Sequence, residues 1–111
     1  MPTFYFLIDN CVDIVYTIVM KLPNDIRIIA SALKHGITKE QIYDCIYNPY
    51  KRPFLTKSNY DPDVIFVLGE TQEYQLLEIA YAMEKDDIGR VFHAMPMREN
   101  YKKLYKQRRK K

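Results

Sequence analysis

The C-terminal stretch VFHAMPMRENYKKLYKQRRKK sets His93, Arg98 and Tyr101 close together, just ahead of a run of cations. A neutral imidazole can accept or donate a proton near pH 7, an effect worth ~10²–10⁴ in rate, and a guanidinium can hold a phosphate through two parallel hydrogen bonds. Those are the groups that phosphodiester cleavage without a metal requires: a base for the 2′-hydroxyl, an acid for the 5′-oxygen, and cations for the charge that develops on phosphorus. The same residues also fit a plainer description. A lone histidine among apolar neighbours is more often a satisfied structural group, and Lys/Arg-rich helix faces are common in soluble proteins.

Three further positions bear on this chemistry. His35 in "SALKHG" is a second catalytic candidate, although a histidine in the last turn of a helix is also explained by the helix dipole. Glu78 belongs to a strand-like run and lies opposite the main apolar stripe, so it either faces solvent or supplies a carboxylate to a site on that face. Arg98, Lys102, Tyr105 and Arg109 recur at i, i+4, i+7 and i+11, which puts three cations and one aromatic along one side of a closing helix. Phosphate contacts and base stacking want that mixture, so Tyr101, Lys102, Tyr105 and Arg109 are the candidate nucleic-acid contacts.

Several chemistries find no support. Neither a Gly-rich phosphate loop, a nucleophile elbow nor a His-Glu-x-x-His motif is present. Cys11 and Cys45 stand far apart without a close Cys or His partner, and read as buried thiols of a reducing cytosol. No metal and no cofactor is therefore expected. The apolar start "MPTFYFLIDNCVDIVYTIVMKLP" lacks a positive leader and is interrupted by Asp9 and Asp13, so a soluble, cytoplasmic protein without membrane contact is expected.

The elements that must hold these residues follow from pattern. With 111 residues, 48% of them hydrophobic and 28% charged, the chain suits one compact domain that buries roughly 65% of its unfolded surface. "GITKEQIYDCIYNP" predicts a helix: Thr38 and Gln41 form a capping box, Ile37 and Ile42 the staple around it, and Asn48-Pro49 the stop. "SALKHG" predicts a short helical piece before it, closed by a left-handed Gly36. "KRPFLT", "DVIFVLG", "YQLLEIAYAME" and "RVFHA" read as strands separated by turns, so an antiparallel meander is expected, with Pro96 at the first position of the closing helix. The predicted class is α+β: two short N-terminal helices, a three- to four-stranded antiparallel sheet and a C-terminal helix, with the helices on one face of the sheet. Residues 1–25 form an extension that could be helix or strand, ahead of a single domain over 26–111.

Charge is distributed unevenly. The chain carries +3, but its last ten residues hold seven cations and no acid, which leaves −4 for residues 1–101. A polyanion would be met by the C-terminal helix rather than by the body, unless the tail is simply solvated.

Lys34-His35-Gly36-Ile37 before a capped helix, Asn48-Pro49 after it, and then His93-Ala94 followed by Arg98 and Tyr101 resemble the pattern of BrnT-like toxins of the RelE/ParE-like superfamily, over residues 27–105. The resemblance implies a RelE-like α+β fold, a metal-independent endoribonuclease acting on mRNA, free or ribosome-bound, and a cognate antitoxin protein as partner. His93 would be general acid or base, with Arg98 on the scissile phosphate, His35 nearby, and Lys102 and Tyr105 steering and stacking RNA. The alternative from the residues alone is a non-catalytic module whose basic helix docks on nucleic acid or on an acidic protein.

Overall fold

A computed structural model describes residues 21–58 and 61–109, with the side chains of residues 108 and 109 outside the description. Strand β1 (Asp25–Ile28) is followed by a 3₁₀ turn (Ala30–Leu33) and helix α1 (Lys39–Ile46). Strands β2 (Phe54–Lys57), β3 (Val64–Glu70), β4 (Leu76–Met83) and β5 (Ile88–Pro96) come next, followed by helix α2 (Glu99–Arg109). β2 to β5 form the meander that their apolar runs and polar turns favour. Each is antiparallel to the next.

The expected architecture is corrected in three respects. The sheet has five strands and is mixed, in the order β1-β5-β4-β3-β2, because β1 pairs in parallel with β5. The first of the two expected N-terminal helices is only a 3₁₀ turn, since the four residues Ala30–Leu33 are too few to propagate an α-helix before Gly36 turns the chain at φ 83°. The helices, finally, lie on opposite faces. Ile42, Cys45 and Ile46 of α1 pack with Ile65, Val67, Leu77, Ile79 and Tyr81, whereas Tyr105 of α2 packs with Leu68 and Met97. Since neighbouring strand residues point to opposite sides, Val67 and Leu68 mark the two faces. The RelE-like arrangement is corrected accordingly.

Helix α1 starts as its sequence dictates. The Thr38 hydroxyl accepts from the Gln41 amide at 3.1 Å, and the Gln41 side chain accepts from the Thr38 amide at 2.8 Å. Ile37 and Ile42 are both buried in the core on this side. The close approach of α1 to β3 depends on Gly69, where an added Cβ would lie 3.0 Å from the Cys45 sulfur. Residues 1–20 of the expected N-terminal extension lie outside the described residues, and the boundary at 25/26 falls inside β1. Among the described residues no helix is long and apolar enough to cross a membrane.

Candidate functional site

Alternation along β4 sends Leu77, Ile79 and Tyr81 toward α1 and leaves Glu78 on the α2 side, where it is 0% exposed. A buried carboxylate must be paired. Two elements supply the partners. The first is β5, whose register slips where it pairs with Ala80 and Tyr81: His93 opposes Ala80 while Val91 opposes Tyr81, so Phe92 is the extra residue. Were Phe92 itself opposite Ala80, His93 would face Ile79 and point into the α1 core; the bulge turns the imidazole onto the face of Glu78. Its Nε2 lies 3.1 Å from Glu78 Oε2.

The second partner comes from the β5–α2 junction. Met97 N–H donates to the Leu76 carbonyl at 3.0 Å, which carries the ladder past Pro96, and the next amide, of Arg98, donates to Glu78 Oε1 at 2.9 Å. Arg98 Nε lies 3.0 and 3.1 Å from the two carboxylate oxygens, and Nη2 donates to Oε2 at 2.7 Å. The Arg98 carbonyl then accepts from the amides of Tyr101 and Lys102, which starts the helix. Pro96, expected inside that helix, is the last residue of β5 instead. The junction therefore fixes the arginine and the helix start together.

Burial pushes the Glu78 carboxyl up, but the Arg98 side chain and amide, the His93 hydrogen bond and the Arg98 charge together hold it below the usual carboxylate range. The ion pair with Glu78 raises Arg98 in return. An ionised carboxylate has no proton to give, so His93 Nε2 carries the hydrogen of their bond. Nδ1 is then the nitrogen with a lone pair to offer.

Aromatic and imidazole rings enclose this trio. Phe66 stands edge-on to His93 at 6.0 Å and lies over Tyr101 at 5.4 Å, the Arg98 guanidinium is 5.6 Å from the Tyr101 ring, and His35 meets His93 edge-on at 5.9 Å. The turn that carries His35 is held to the bulge, where the Ser31 hydroxyl donates to the Phe92 carbonyl at 2.8 Å. The His93 side chain is 23% exposed and that of Arg98 53%, so both are reached from solvent. Beside them, the half of this face that α2 leaves open is a groove of about 730 Å³ that includes Phe66, Ala82, Arg90 and Phe92.

Of the residues expected in a site, His35, His93, Arg98 and Tyr101 are brought together. Lys102 follows on the helix and sits 3.9 Å from Glu99. Tyr105 does not share a solvent face with them. It is buried in the α2 core and its hydroxyl donates to Glu70 at 3.0 Å, so its ring is not presented for stacking; the i+7 position of the stripe turns inward because Leu68 and Met97 take it there. The Arg109 side chain lies outside the described residues. Phe66 went unassigned because a wholly apolar strand gives no sign of which face borders a site.

Cys45 is fully buried, and desolvation first, then Asp44 and Glu70, push its thiol up to about 12, which removes it as a nucleophile. Cys11 lies outside the described residues. Among the described residues no three His, Cys, Asp or Glu are grouped to hold a metal. Comparison with protein-family models, curated proteins and solved structures found no match.

Proposed function

We propose that the protein is a small endoribonuclease that needs no metal and, on the resemblance of its motifs to BrnT-like toxins, the toxin half of a toxin–antitoxin pair. The observation that carries this reading is the convergence of His93 and Arg98 on one buried carboxylate, with a second imidazole, His35, against the first. Glu78 orients the ring of His93 and fixes its tautomer, leaving Nδ1 to take the proton of a ribose 2′-hydroxyl. The 2′-oxygen then forms a bond to phosphorus while the P–O5′ bond breaks, giving a 2′,3′-cyclic phosphate and a 5′-hydroxyl. His35 is the group within reach to protonate the departing 5′-oxygen. Arg98 spends Nε and Nη2 on Glu78, and its Nη1 amino group is left to meet the phosphorane oxygens. The open groove lined by Phe66 and Phe92 accommodates the strand.

A second reading, a non-catalytic module for nucleic acid or an acidic protein, is favoured by the same Arg98 bonds, because they also clasp the start of α2 to the sheet. Purified protein incubated with RNA in EDTA, alone and with ribosomes, separates the two. Cleavage is expected, slowed at least ~10²-fold in His93→Ala and in Arg98→Ala proteins whose circular dichroism matches the parent. Intact RNA with the parent protein under both conditions rejects the ribonuclease and leaves the binding module.

A further inference from the structure

The turn between β3 and β4 holds an aromatic where the backbone asks for glycine. Tyr74 N–H donates to the Thr71 carbonyl at 2.9 Å, Thr71 N–H donates to the Gln75 carbonyl at 2.9 Å, and Tyr74 sits between them at φ 69°. A left-handed residue at this point of a hairpin is the usual place of a Gly or Asn, and a bulky side chain there is strained. Strain of this kind is ordinarily offset by packing. Tyr74 has little: the residue is 76% exposed, and its ring meets Lys51, whose ammonium lies 5.8 Å from the ring centroid. An exposed cation–π contact is worth less than a left-handed backbone costs.

Tyr50 is the second exposed ring of the same groove, at 80%. Its backbone is fixed where Asn48 Oδ1 accepts from the amides of Tyr50 and Lys51 at 2.8 and 3.2 Å, while Asn48 Nδ2 donates to the Glu70 carbonyl at 2.8 Å. The groove holds about 350 Å³ and is lined by both tyrosines, Lys51, Glu70, Thr71 and Gln72. Its polar members are already engaged within the fold: Glu70 with Lys51 and Tyr105, the Thr71 hydroxyl with two amides, Gln72 with Asp44. What it presents to a visitor is two exposed tyrosines, with the Glu70-paired ammonium of Lys51 beside Tyr74. It lies on the same strand pair as the Glu78 cluster, for Leu68 opposes Glu78 and Glu70 stands two residues on, about 7 Å away diagonally. Glu70 holds Tyr105, and Lys106 follows at the start of the basic end of α2.

We propose that the Tyr50–Tyr74 groove is a second RNA contact, which stacks an unpaired base of the strand whose phosphates run along α2. The proposal rests on the ribonuclease reading and adds to it a place for the chain beyond the scissile bond. Stacking on an exposed tyrosine takes any base, so this contact tightens binding without selecting sequence.

The test uses the full chain carrying His93→Ala, which slows cleavage below the time of a binding measurement, and a single-stranded oligoribonucleotide containing 2-aminopurine, whose emission falls on stacking. Tyr50→Ala and Tyr74→Asn are each expected to weaken binding about tenfold and to restore the emission, while Tyr74→Phe keeps the parent affinity. Tyr74→Asn is also expected not to lower the thermal midpoint, because asparagine tolerates the left-handed backbone. A tyrosine that served only the fold would do the reverse, losing stability and leaving affinity alone. Parent affinity and quenching in both Tyr50→Ala and Tyr74→Asn overturn the groove as an RNA contact, as does release of the oligonucleotide's base with tight binding of an acidic peptide in its place. If the His-intact parent still cleaves RNA in that event, only the groove falls; if it neither cleaves nor binds RNA, the ribonuclease reading falls with it.

Discussion

A carboxylate cut off from water that receives an arginine side chain, its amide and a histidine depends on staying charged. Glu78 tests this directly. Its folded value is held below the ordinary 4.5 of a glutamate, so folding favours the ionised form, and the unfolded chain binds more protons throughout the window between the two values. The stabilisation is therefore complete above about pH 4.5 and is lost as pH falls through the lowered value. Glu78→Gln keeps the shape but not the charge and should lower stability by about 1.5–3 kcal/mol at neutral pH, the range for hydrogen bonds to a charged group. Urea unfolding of parent and variant across pH 2.5 to 7 is expected to show two curves that converge in acid. Curves that run parallel over that range would mean that folding does not favour the ionised form of Glu78.

At the scale of single elements, the strongest signals were local ones. The capping box of α1 is complete on both sides, so Thr38→Ala should cost about 1 kcal/mol in chemical denaturation and leave RNA affinity of the folded protein unchanged. A loss below the error of the measurement would mean that the cap adds nothing to the start of α1. The same kind of local pattern made β3 and β4 legible, because apolar runs bounded by polar turns need no knowledge of distant residues. β1 was not legible, since its partner β5 begins some sixty residues on and four residues reading DIRI carry no sign of a parallel neighbour. Nor could the stripe of α2 say which sheet face would receive it, which is why both helices were expected on one side. Glu78 was open to two readings from its alternation, and only the bulge at Phe92, which has no sequence signature, brings His93 to it. Tyr105 misled for a chemical reason: a phenol suits a buried hydrogen bond and a stacked base equally well.

Taken as a whole, the molecule is a mildly acidic body with a cationic end. Removing everything after Tyr105 takes away Lys106, Arg108, Arg109, Lys110 and Lys111 but leaves the residue that α2 buries. RNA binding by the shortened chain is expected to weaken, and the slope of log affinity against log salt to flatten, because fewer counterions are released. A slope equal to that of the full chain would move the electrostatic surface off the tail. The parallel pairing of β1 with β5 has a consequence in time. The meander from β2 to β5 closes through short turns, but β1 must find a strand that is synthesised long after it, with loop-closure entropy set against it. At cellular elongation rates the delay between Ile28 and Ile88 is on the order of 3–12 s. His93, Arg98 and Tyr101 come later still, so the cluster around Glu78 can form only once β5 and the first turn of α2 have both been made.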